Sequence, residues 1–184
     1  MKHTIFTMLL ALACAGASAG VIRFDDLPGD ETVAIAAGYG GFDWNNLGII
    51  GADAYPDSGY AAGVVSPGNA AFNLYGATVT ISKAGAGVFD FSGAWFTSAW
   101  LDQELAFDGL RDGQLLYTTA TSFVIDPTTP LWVQLDWAGI DMLVIYNSSG
   151  TQWAMDDFTV PEPASLALFG TALGALALGR RRRA

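Results

Sequence analysis

Between residues 20 and 160 the apolar residues recur at every second position in short runs. Clusters of Gly, Asn, Asp, Pro and Ser separate those runs. A period of two leaves no stripe for a long helix and selects strands with one buried face. The cleanest run is 77–82, where Ala77, Val79 and Ile81 face one way and Thr78, Thr80 and Ser82 the other. Run 131–137 repeats the pattern, with Leu131, Val133, Leu135 and Trp137 opposite Trp132, Gln134 and Asp136. Further strands are expected at 21–24, 72–75, 88–91, 104–107, 115–119, 122–125, 142–146 and 153–160, with turns at Asp108-Gly109, Asp112-Gly113, Asp126-Pro127 and Ser149-Gly150. Ten short strands at this spacing predict an all-β fold, an antiparallel two-sheet β-sandwich of jelly-roll type.

The ends read differently. Lys2 and His3 precede an apolar stretch at 5–13, and Ala17-Ser18-Ala19 forms an A-x-A site. Residues 1–19 are therefore expected to be a signal peptide, cut by signal peptidase to leave Gly20 first. At the other end Pro161, Glu162 and Pro163 break the strand pattern. An uncharged apolar run at 166–178 follows, then the stop-transfer residues Arg180, Arg181, Arg182 and Arg183. The 16 residues from 164 to 179 would make about 24 Å of helix. That is a short transmembrane helix against a core of roughly 30 Å. Arginines on one flank favour the cytoplasmic side and put the 20–160 domain outside.

This tail resembles the PEP-CTERM sorting signal in the order and spacing of Pro161-Glu162-Pro163, the apolar run 166–178 and Arg180 to Arg183. The resemblance covers residues 161–184. It implies processing by an exosortase, transient anchoring in the inner membrane, and delivery to the cell surface or exterior of a Gram-negative bacterium that makes exopolysaccharide. A permanent single-span anchor is the alternative. The 20–160 domain in turn resembles a domain recurring in PEP-CTERM proteins. The matching stretches are 39–44 (YGGFDW), Gly59-Tyr60, 91–100 (FSGAWFTSAW), 137–141 (WAGID) and 155–158 (MDDF). What that implies is a β-sandwich like a carbohydrate-binding module.

Composition removes several functions. The one His is His3 and the one Cys is Cys14, both inside 1–19. The remaining domain cannot build a Ser-His-Asp triad, a thiolate nucleophile, a His/Cys zinc site or a disulfide. Residues 20–160 carry 17 acidic side chains against Arg23, Lys83 and Arg111, a net of −14. Nucleic acid is excluded as a partner, because phosphate neutralisation needs Lys and Arg.

Two constellations remain. Alternation puts Asp156 on the face of Ala154, Phe158 and Val160, and Asp26 on that of Ile22 and Phe24 if 21–26 stays extended. A carboxylate aimed into a core needs a cation, a donor cluster or a bulge. First and last strands often meet in jelly rolls. The expectation is therefore one structural Ca2+ held by Asp26 and Asp156, with Asp25 or Asp157 assisting. The alternative is exposed charges, or a strand-end pair with Arg23. The second constellation is aromatic. Sugar rings stack apolar faces on aromatic rings, while carboxylates and amides bind hydroxyls. The candidates for extracellular polysaccharide are Trp132 with Gln134 and Asp136, then Tyr39 and Trp44 in the 38–46 loop. No carboxylate pair stands out as the acid and nucleophile of a glycan hydrolase. The expected function is a non-catalytic surface or matrix protein that binds glycans. A purely structural matrix role or a carboxylate-dependent glycan hydrolase is the alternative.

Overall fold

The computed structural model describes residues 19–29 and 33–161, where the turn clusters cut the chain into twelve strands. In chain order the first six are β1 (Ala19–Ile22), β2 (Phe42–Asn45), β3 (Leu47–Gly51), β4 (Asn69–Asn73), β5 (Val79–Lys83) and β6 (Phe89–Ser98). They continue with β7 (Gln103–Arg111), β8 (Gln114–Thr118), β9 (Phe123–Ile125), β10 (Leu131–Ile140), β11 (Met142–Asn147) and β12 (Trp153–Pro161). One short helix, α1 (Gly59–Gly63), is capped by the Ser58 hydroxyl, which accepts from the Tyr60 N–H at 3.2 Å.

The strands make two six-stranded antiparallel sheets. One has the order β10-β6-β12-β4-β3, with β1 also on β12. The other has the order β2-β5-β11-β7-β8, with β9 also on β7. Between them lies an interlocked core. Phe158 is stacked on Phe91 at 4.7 Å and lies edge-on to Trp44 at 5.2 Å, while Phe42 meets Phe89 at 4.9 Å. The all-β, two-sheet antiparallel expectation therefore holds.

A second, smaller core lies on the outside of the first sheet. Ile50, Ala70, Phe72 and Ala154 are buried there with Tyr60 of α1. Gly63 must be glycine, since a Cβ would sit 2.8 Å from the Ala154 Cβ. β3 and β4 are consequently buried on both faces over most of their length. Their sequences lose the alternation that marks a half-exposed strand. The outer face of this sheet stays open toward β10.

The expected signal-peptide residues 1–18, the sorting residues Glu162 and Pro163, the helix at 166–178 and Arg180, Arg181, Arg182 and Arg183 lie outside the described residues. Pro161 is described: it ends β12, opposite Ala19. Among the described residues no helix is long and apolar enough to cross a membrane.

Candidate functional site

β10 forms an edge of its sheet, and its register with β6 puts Trp132 opposite Trp95 and Gln134 opposite Gly93. Cross-strand partners share a face, so the two tryptophans stand side by side on the outside, ring centroids 5.5 Å apart at 65°. Both are half-buried. The Trp132 ring reaches over Gly93, where a Cβ would come within 2.9 Å of Cζ2. The indole N–H of Trp132 donates to Gln134 Oε1 at 2.9 Å, and Gln134 Nε2 donates to Asp136 Oδ2 at 2.7 Å. The alternation of burial runs on past Gln134, but the pairing with β6 is interrupted there. Asp136 has φ 51°, and the register slips between Gln134 and Trp137. Across this bulge Gln134 and Asp136 stay exposed on one face, as the alternation predicts, and Trp137 on the other stacks on Tyr117 at 5.4 Å and 13°. Trp132, Gln134 and Asp136 thus form one hydrogen-bonded line beside Trp95. The line retains an N–H of Gln134 and an oxygen of Asp136 for hydroxyl groups.

Trp95 was not among the sequence candidates for this surface. Its signal was the spacing of 91–100, but choosing it needs the β6–β10 register, which no single strand carries.

The 38–46 segment is divided. Trp44 is 5% exposed and packs on Phe24, Phe42 and Phe158; its indole N–H donates to the Tyr39 carbonyl at 2.9 Å. Its ring is a core element with no face free for a sugar, which corrects its expected role. Tyr39 is half-buried, and its hydroxyl donates to Asp26 Oδ1 at 2.5 Å. Burial and that carboxylate raise the Tyr39 pKa well above the usual phenol value.

The acidic residues also part company. β1 stops at Ile22 and Phe24 takes φ 64°, so the extended run assumed for 21–26 does not form and Asp26 is exposed. Asp25 Oδ1 accepts from the Asn69 N–H at 3.1 Å. β1 and β12 do pair, and beside them Arg23 Nε meets Asp157 Oδ1 at 3.4 Å, the strand-end pair foreseen as the alternative. Asp157 has φ 50° and the register of β12 on β6 shifts after Asp156. That bulge turns Asp156 onto the outer face, opposite Trp95, while Met155 and Phe158 both stay inside.

Asp156 is nevertheless fully buried, because the chain after α1 crosses over it. The N–H groups of Val65 (2.8 Å), Ser66 (2.7 Å) and Asp157 (2.7 Å) donate to its carboxylate, as does the Ser66 hydroxyl at 3.0 Å. Burial pushes its pKa up to about 6, against the pull of those donors. Asp25, Asp26, Asp156 and Asp157 therefore turn to four different sets of partners. Among the described residues no three Asp, Glu, His or Cys side chains gather as a metal-holding group.

No curated protein matches the chain. Among solved structures it is similar to the carbohydrate-binding module TmCBM61, determined in complex with β-1,4-galactotriose. That match has 11% identity and a TM-score of 0.36, over 77% of this chain and 99% of the other. The family model for the PEP-CTERM protein-sorting motif matches residues 159–183. The chain thus carries a PEP-CTERM sorting motif that begins within the last strand of its sandwich.

Proposed function

We propose that this protein is exported, processed at its tail by an exosortase, and displayed at the cell surface or in the extracellular matrix, where it binds glycans without catalysis. The observation that carries the binding role is the exposed Trp132–Gln134–Asp136 line beside Trp95. It offers an apolar ring, an amide and a carboxylate along one strand, which suits the apolar face and the hydroxyls of a sugar. A nucleobase stacked on one aromatic side chain is worth about 1–3 kcal/mol; a sugar face on Trp132 is taken by analogy to be of that order, enough for weak, multivalent attachment to a polymer. We also read the strand order as a jelly roll. β4-β12-β6-β10 in one sheet and β5-β11-β7-β8 in the other give the two interlocked four-stranded layers of that design.

The test is binding of the full-length chain, in detergent, to an array of bacterial and plant glycans, beside the variant Trp132→Ala. Retention of at least one glycan by the wild type and its loss in the variant is the expected result. A wild type that retains none supports the purely structural matrix role. Glycan turnover abolished by Asp136→Asn would instead make the protein a hydrolase.

A further inference from the structure

The inward-facing series of the second sheet ends in charge. Val79 and Ile81 of β5, Phe107 and Gly109 of β7, and Leu143 and Ile145 of β11 are buried. The neighbouring members of these three series are Lys83, Arg111 and Asp141. Met142 pairs with both Ser82 and Leu110, so Asp141 stands between Lys83 and Arg111 in one row across three strands. The Lys83 N–H donates to the Asp141 carbonyl at 3.3 Å, and the Asp141 N–H to that of Leu110 at 2.9 Å.

The row lines a cavity of about 600 Å3, with Asp43, Asp112 and the glycines of the 85–87 and 112–113 turns. Two of the three basic residues of the 20–160 domain converge there. Neither forms an ion pair with these acids: among the described residues the one ion pair is Arg23–Asp157. Asp141 instead turns Oδ2 to the Asp112 N–H at 2.6 Å, and Asp43 turns Oδ1 to the Gly38 N–H at 2.9 Å. Lys83 Nζ is held 4.4 Å above the Phe42 ring. Glycines flank both cations. A Cβ on Gly41 would lie 3.3 Å from Lys83 Nζ, and one on Gly139 3.5 Å from Arg111 Nη1.

We infer that this cavity binds the carboxylate of an acidic sugar. Lys83 and Arg111 hold the carboxylate, and Asp43 and Asp112 accept from the ring hydroxyls. The walls carry both signs of charge, three acidic residues and two basic ones, which suits a monoanion ringed by hydroxyls better than a bare dianion such as a phosphate. The inference rests on the glycan reading above and adds the class of sugar, at a site separate from Trp132.

The test compares binding of a hexuronate oligomer and its neutral methyl ester to the full-length chain by titration calorimetry. The acid should bind at least tenfold more tightly, and raising the salt should narrow the gap. The double substitution Lys83→Gln, Arg111→Gln should close the gap. Equal binding of acid and ester to the wild type overturns the inference without needing a variant to fold. So does displacement of the oligomer by equimolar inorganic phosphate. If neutral glycans bind through Trp132 while acid and ester are equal, the glycan reading stands and this one falls. If nothing binds, both fall.

Discussion

Truncating Trp44 to Ala would empty a site enclosed by Phe24, Phe42 and Phe158. A loss of about 3–5 kcal/mol is expected in denaturant unfolding. Trp132→Ala, on an outer face, should cost about 1 kcal/mol or less and leave the fold intact. Asp156 gives a pH signature. Its pKa rises from an ordinary 3.8 to about 6 on folding, so between those values the folded chain keeps a proton that the unfolded chain has released. Its contribution to stability is full below about pH 4 and is lost as pH rises through 6. The total is roughly 3 kcal/mol. Thermal unfolding followed from pH 7 to pH 4 should show the gain, and Asp156→Asn should remove that slope. Since the four carboxylates at Asp25, Asp26, Asp156 and Asp157 each have protein partners, EDTA should leave the unfolding midpoint unchanged. A fall of several degrees would put a cation among them. The sequence marked Asp156 as a carboxylate in need of a partner but could not say which one. The answer depends on a single extra residue in β12 and on a loop some ninety positions earlier.

Strands with one face in water were the legible ones. β5, β7 and β10 follow the alternation, and their cores agree with it within a residue or two of the ends. β2 and β3 were not foreseen. β2 (FDWN) alternates, but over only four residues, while β3 (LGIIG) has its first four residues buried and shows no period of two. The helix that hides β3 is itself five residues with two glycines, too short to leave a periodic trace. The bulge in β12 was invisible for a related reason: it changes which face Asp156 takes without changing composition. At this scale Gly93 is the position to test. A Cβ there would lie 2.3 Å from the Val133 carbonyl oxygen and 2.9 Å from the Trp132 ring. Gly93→Ala must push β10 away from β6, at an expected cost of about 1–3 kcal/mol. It should also disturb the Trp132 environment, readable in the near-ultraviolet circular dichroism.

For the whole molecule, charge, the sorting motif and the Trp132–Gln134–Asp136 face were plain from the sequence, whereas the cavity at Lys83 and Arg111 was not. The −14 of the domain can be counted from the sequence, but the meeting of Lys83 with Arg111 depends on β11 lying between β5 and β7. Replacing Glu162 with Ala is expected to block removal of the tail. The mass of the mature chain from native cells reads this directly, and normal removal in that variant would count against exosortase sorting. The pairing of β1 with β12, Gly20 opposite Val160, has a mechanical side. The two ends of the domain are antiparallel partners and leave it at one corner, so a force pulling them apart would meet the β1–β12 hydrogen bonds one after another. Such a geometry unzips at low load. The domain is therefore poorly suited to being a link in a chain stretched from end to end, and well suited to hanging from a single thread.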